Sequence, residues 1–106
     1  MLWSVGAGKG TAVAKFVALL EFTDQEELRL QTRPTHREYL RTLFDQGKLA
    51  MSGPWVDDTG AMLVYEAADL GEAQRLLDAD PYRTAGVIAD VRIKEWRVVM
   101  GPFAEG

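Results

Sequence analysis

The feature that most constrains the fold is an order of elements, strand then helix then strand, that occurs twice along the chain. Residues 15–22 form an apolar run of strand length, and Leu40, Leu43 and Phe44 then recur at helical spacing. A second helical pattern follows Asp69, and an apolar strand follows that helix. The sequence therefore predicts strands at 15–22, 48–55, 61–66 and from 87 onward, with helices between Pro34 and Gly47 and between Asp69 and Asp80.

Two right-handed crossovers in one four-stranded antiparallel sheet give an α+β fold, the ferredoxin-like βαββαβ sandwich with both helices on one face. The first strand is apolar in both of its phases, so we expect it to be buried on both faces. No remaining segment is expected to be long enough to cover the second face of the sheet. A second copy of the chain is the natural cover, and the sequence thus predicts a homodimer or a higher even oligomer.

Two local patterns give finer expectations. Thr23 and Glu26 have capping-box spacing, which predicts a short helical turn before a main helix that has Pro34 in its first turn. In the last strand, Val91 and Ile93 share one phase whereas Trp96 has the opposite one. One extra residue would change the phase, so we expect a β-bulge near residues 94–95.

Composition excludes several classes of protein. The chain has 106 residues, no cysteine and one histidine, which excludes disulfides, cysteine-based zinc sites and multi-histidine metal cages. A net charge of -4 argues against a nucleic-acid partner, and no apolar run approaches the roughly 18–20 residues of a membrane span. We expect one domain at 14–106 in a cytoplasmic protein with no membrane association, no metal and no cofactor.

Residues 1–13 are rich in glycine and small side chains and are predicted to be a flexible leader. The segment from Gly6 to Thr11 superficially resembles the phosphate-binding loop of nucleotide kinases. That loop needs a glycine where Trp3 stands, a buried strand before it and a helix after it. We therefore do not expect nucleotide binding.

Two titratable residues are candidates for chemistry, although each also has an ordinary structural explanation. His36 shares the face of the first helix that packs on the sheet, so it is either a buried histidine with a satisfied hydrogen bond or a proton carrier. Asp80 precedes Pro81 and suits the N-cap of a short turn. Arg33 could bind an anion or be solvated, and the segment from Ser52 to Trp55 could line a pocket or only turn the chain.

Three groups of residues together resemble the YciI-like (YCII-related) family of the dimeric α+β barrel superfamily. They are the R-P-x-H element at 33–36, the segment from Gly47 to Pro54, and the D-P-Y element at 80–82 with its following Ala85-Gly86-Val87. The resemblance implies a ferredoxin-like protomer whose sheet packs on that of a partner. It also implies an active-site pair that maps onto His36 and Asp80.

The resemblance directs the functional prediction. A carboxylate bonded to one imidazole nitrogen makes the other nitrogen a better base, which suits proton abstraction from a phenol or an acidic carbon. We predict a cofactor-independent lyase or isomerase for a small cyclic or aromatic metabolite, with His36 and Asp80 as catalytic residues. The predicted substrate contacts are Arg33, Ser52, Trp55 and Tyr82. The alternatives are a non-catalytic ligand-binding or accessory protein and, last, a purely structural dimer.

Overall fold

A computed structural model describes residues 13–104, and the possible phosphate-binding loop therefore lies outside the described residues. Its four strands form one antiparallel sheet in the order β2-β3-β1-β4, which confirms the predicted ferredoxin-like topology. The elements are β1 (Ala14–Phe22), α1 (Glu26–Asp45), β2 (Leu49–Pro54), β3 (Gly60–Ala67), α2 (Leu70–Asp78), α3 (Pro81–Ala85) and β4 (Ile88–Trp96).

The core lies between the helices and one face of the sheet. Alternate residues of β1 point into it, because successive side chains of a strand face opposite sides. Phe16, Ala18 and Leu20 are buried there against Leu40 and Leu43 of α1. The Tyr39 hydroxyl donates a 2.6 Å hydrogen bond to the Leu76 carbonyl oxygen and so ties α1 to α2.

Helix α1 begins earlier than predicted. It starts at Glu26 and runs through Pro34 without interruption, and His36 lies in its middle. Its N-cap is Gln25, whose side chain makes no capping hydrogen bond, so the predicted capping box of Thr23 and Glu26 does not form. Proline in a helix interior removes one backbone hydrogen bond but need not end the helix when packing holds both halves. Buried residues occur on both sides of Pro34, at Arg29 and at His36, Leu40 and Leu43.

The β-bulge lies at the opposite end of β4 from the predicted one. Pairing with β1 is regular from Trp96 to Asp90, and the register shifts where Phe22 pairs with Ile88, which leaves Ala89 as the extra residue. Ile88 and Val91 consequently both pack against the core. Trp96 needs no bulge, because a regular strand places it on the face opposite to Ile93.

The chain covers part of the second face of the sheet by itself, contrary to the prediction. The segment at 97–104 lies beside Lys15, Met51 and Val64, and the side chains of Val64 and Val98 are buried. Beyond this C-terminal segment the face is open: Leu19 is 40% exposed and borders a shallow surface with Val17, Met62 and Trp96. β1 is therefore only partly covered on this side within one chain.

Helices α2 and α3 begin with the predicted aspartates. The Asp69 carboxylate accepts a hydrogen bond from the Glu72 backbone N–H at 2.8 Å, and Glu72 accepts one in return from the Ala68 N–H at 2.7 Å. Helix α3 is capped by Asp80 and ends at Gly86, whose φ of 77° favours glycine. Among residues 13–104, no helix is both long enough and apolar enough to cross a membrane.

Candidate active site

His36 and Asp80 meet although 44 positions separate them. The His36 Nδ1 atom lies 2.7 Å from Asp80 Oδ1, within the range of a short charge-assisted hydrogen bond. Asp80 is fully buried and His36 is 8% exposed. Because a carboxylate can only accept, Nδ1 carries the shared proton, and Nε2 of a neutral ring is left as the unprotonated nitrogen.

The turn at α3 fixes the carboxylate. The same Asp80 Oδ1 accepts a 2.8 Å hydrogen bond from the Tyr82 backbone N–H, so one oxygen caps α3 and also orients the imidazole. The Tyr82 ring stacks on the imidazole with centroids 3.7 Å apart and planes within 6° of parallel. The position and the plane of the His36 ring are thus both set by residues 80–82.

The second Asp80 oxygen lies in a buried region that it shares with tyrosines. Asp80 Oδ2 and the Tyr65 hydroxyl are buried and have no hydrogen-bond partner among residues 13–104. Burial raises the pKa of Tyr65 far above its usual value, and the Asp80 charge raises it further. Burial and the same charge also raise the pKa of Tyr39. Both phenols therefore stay protonated near neutral pH.

A cavity of about 170 Å³ opens beside His36, between α1 and the ends of β2 and β3. Three of the predicted substrate contacts, Arg33, Ser52 and Tyr82, line it. Trp55 does not line it: this residue follows β2, is 42% exposed, and donates a backbone hydrogen bond from its N–H to the Gly60 carbonyl oxygen. The predicted role of Trp55 in substrate contact stays a prediction that the cavity geometry does not favour.

Two arginines in the cavity wall were missed by the sequence prediction. Arg29 and Arg37 join Arg33 at intervals of four residues, on the same face of α1 as His36. The spacing of four residues is a helical period, but Arg29 lies before Pro34, where the sequence predicts that the helix begins. Arg37 lies inside the predicted helix, and only its spacing from Arg33 could have indicated it. Burial raises the pKa of Tyr82, whereas the three guanidinium groups act in the opposite direction.

The described residues contain no group of three or more histidine, aspartate or glutamate side chains that could hold a metal ion. Independently of metals, the 2.7 Å contact with Asp80 leaves His36 Nε2 able to accept a proton, and the walls of the cavity are able to contact a ligand.

Comparisons with known proteins agree with the described fold. Residues 14–97 match the model of the YCII-related domain. The chain belongs to this family. YCII-related relatives include Protein YciI of Escherichia coli O6:H1, which is 38% identical over 86 residues that span 72% of this chain and 88% of the relative. Another is the uncharacterized protein YjpA of Bacillus subtilis, 40% identical over 63 residues, or 59% of this chain and 73% of the relative.

A solved structure shares the fold. It is 5-chloro-2-hydroxyhydroquinone dehydrochlorinase (TftG) from Burkholderia phenoliruptrix AC1100, in complex with 2,5-dihydroxybenzoquinone. The TM-score is 0.71 at 23% sequence identity, over 86% of this chain and 99% of that one. At this identity the likeness establishes the common fold, and the reaction of this chain has to be argued from its own site.

Proposed function

We propose that this YCII-related protein is a cofactor-independent enzyme of the lyase or isomerase type, with His36 and Asp80 as its proton-transfer pair. The observation that carries the proposal is the 2.7 Å contact between His36 Nδ1 and Asp80 Oδ1 at the wall of the cavity. A histidine that only filled the core would not need a buried carboxylate and an adjoining cavity.

Each partner has a defined task in the proposed mechanism. Asp80 holds the ring in the tautomer with Nδ1 protonated and stabilises the imidazolium that forms when Nε2 accepts a proton. Tyr82 keeps the ring plane fixed through stacking. Such a base removes a proton from a phenol or an acidic carbon of the substrate. In an isomerisation the imidazolium returns the proton at another atom of the substrate, and in an elimination a leaving group departs from the substrate ring.

The proposed substrate is a small cyclic or aromatic molecule, and the TftG activity supplies one concrete reaction to test. Loss of HCl from a chlorinated hydroquinone removes one proton and one chloride and gives a product at the quinone oxidation level, so no external oxidant is needed. Nε2 would remove one hydroxyl proton, and the imidazolium would return it to the chlorine-bearing ring carbon to give a keto tautomer. Removal of a second hydroxyl proton by Nε2 would then expel the chloride and form the quinone. The cavity of about 170 Å³ is comparable with the roughly 150 Å³ that holds benzene in an engineered protein cavity.

The test measures chloride release from 5-chloro-2-hydroxyhydroquinone by the full chain and by His36→Ala. Loss of one general base lowers the rate by about 10²–10⁴-fold. Asp80→Asn keeps a capping residue at α3 but removes the charge, and it should also lose activity. Asp78→Asn removes the same charge from an exposed position two residues away and is the matched control. Binding of 2,5-dihydroxybenzoquinone without turnover of any ring substrate would favour the non-catalytic ligand-binding alternative.

We also propose that the chain works as a homodimer, with the open part of the second sheet face as its interface. One chain leaves a surface in solvent whose apolar part is formed by Val17, Leu19, Met62 and Trp96. Arg92, Lys94 and Glu95 also line this surface, and the C-terminal segment borders it. A second copy would bury this surface on an identical one. The cavity lies on the helical side of the sheet, so the interface and the proposed active site occupy opposite faces.

A further inference from the structure

We infer that the cavity selects substrates that carry a negatively charged oxygen, held by Arg29, Arg33 and Arg37 while the reacting group faces His36. This inference rests on the proposed function, because it names the class of substrate for the same cavity. The ligand would be a planar ring that bears a carboxylate, a phenolate or an enolate.

Arg29 is the decisive residue. Its side chain is 8% exposed, yet its only ion pair among the described residues is a 4.0 Å contact with Glu26, which is itself largely in solvent. The buried Nε atom has no hydrogen-bond partner among residues 13–104. Within the chain the guanidinium also makes a hydrogen bond with the Tyr82 hydroxyl, which carries no charge. Burial of a guanidinium is unfavourable unless an anion accepts its hydrogen bonds, so this group is prepared for an anionic partner that the described chain supplies only at a distance, through Glu26.

The surroundings hold Arg29 in place for such a partner. Its guanidinium carbon lies over the Phe22 ring at 4.7 Å from the centroid, a cation–π contact that restrains the position of the group. Phe22 itself lines the cavity. A planar guanidinium can donate two parallel hydrogen bonds to one carboxylate or to adjacent ring oxygens.

The charge balance at the cavity is opposite to that of the whole chain. The protein carries a net charge of -4, but the cavity wall contains three arginines and, among its described lining residues, one acid, Asp58. The Asp80 charge lies behind the imidazole and is already engaged by His36 and the Tyr82 N–H. A basic cavity in an acidic protein concentrates anions at this one place.

The test is calorimetric titration of the full chain with 2,5-dihydroxybenzoquinone, which ionises in neutral solution. Arg33→Gln and Arg37→Gln should each weaken binding by about 10- to 100-fold, the worth of one charge-assisted hydrogen bond. Arg75→Gln, on the exposed face of α2, makes the same change in net charge and should leave the Kd unchanged. Arg29→Lys retains the charge without the planar fork and should weaken binding as well.

Arg33 and Arg37 lie nearer to the solvent than Arg29, so their variants should fold even if the Arg29 variant is unstable. Equal affinity of Arg33→Gln, Arg37→Gln and the unmodified chain, or no binding by the unmodified chain, would overturn the inference. The outcome is separable from that of the proposed function. If His36→Ala binds the anion and still releases chloride, the catalytic proposal fails whereas the anion site stands.

Discussion

Single atoms of the buried polar region decide much of what this protein can do. Asp80 Oδ1 accepts two hydrogen bonds, whereas Asp80 Oδ2 and the Tyr65 hydroxyl accept and donate none among the described residues. Tyr39, in contrast, donates a 2.6 Å bond to the Leu76 carbonyl. The two phenols therefore form a natural pair for comparison, because one has a partner and the other has none.

We expect Tyr65→Phe to leave the free energy of unfolding unchanged or to raise it by about 1 kcal/mol, because it removes a buried hydroxyl without a partner. Tyr39→Phe should lower the same quantity by about 1 kcal/mol, because the Leu76 carbonyl loses its donor. Urea denaturation followed by circular dichroism measures both. A large loss of stability in Tyr65→Phe would show that this hydroxyl has a bonded partner in solution.

The raised pKa of Tyr65 predicts an alkaline limit to stability. Below about pH 10 the phenol is neutral in both the folded and the unfolded chain, so it adds no pH dependence. Above that pH only the unfolded chain releases this proton, and the free energy of unfolding falls by up to about 1.4 kcal/mol per pH unit for each such tyrosine. Denaturation midpoints between pH 9 and 11 should fall less steeply in Tyr65→Phe; parallel slopes would contradict the burial effect.

At the scale of the elements, the predicted order and topology were correct, and the errors lie where one residue was given too much weight. The sequence places Pro34 in the first turn of the helix, but α1 passes through Pro34 because packing on both sides of it compensates for one lost backbone hydrogen bond. That error also concealed Arg29, which lies in the turns before Pro34. The bulge was misplaced because a change of face at Trp96 produces the same pattern as an inserted residue.

The close approach of β3 to β1 gives a prediction at this scale. A Cβ atom at Gly60 would overlap the Leu20 carbonyl oxygen, whereas one at Gly53 would meet nothing within 4 Å. Gly60→Ala should therefore destabilise the fold by about 1–3 kcal/mol or more, as the strands must separate. Gly53→Ala is the matched control and should change stability by less than about 1 kcal/mol. Thermal unfolding of the two variants measures the difference in stability. Equal midpoints would refute the close contact between Gly60 and the Leu20 carbonyl oxygen.

At the scale of the whole molecule, the two faces of the sheet differ in what covers them. The helices cover most of one face, and the C-terminal segment covers part of the other. The sequence alone indicates that the second face of the sheet has to be covered, because both alternating sets of β1 side chains are apolar. It did not show that part of the cover comes from residues 97–104, since Val98 and Met100 follow β4 in a pattern that resembles continued strand.

The proposed dimer is tested by one charge on the open face. Leu19→Arg should convert a dimer of twice 11.8 kDa into a monomer, because Leu19 pairs with Arg92 across the strands and shares its surface with Lys94, so a buried cation there meets like charges. Leu30→Arg is matched in exposure, at 41% against 40%, but lies on α1 and should not change the mass. Light scattering coupled to gel filtration gives both values. A monomer in the unmodified chain at micromolar concentration would contradict the proposal.

The shared use of Asp80 Oδ1 has a consequence for how such sequences are compared across genomes. Since the same oxygen caps α3, natural selection for folding alone would favour a capping side chain at this position, and aspartate is among the best of them, in a lineage that had ceased to turn over substrate. Retention of Asp80 is thus weak evidence of catalysis. His36 does not cap a helix. Homologues that retain the aspartate but have lost the histidine would therefore be those that keep the fold without the reaction.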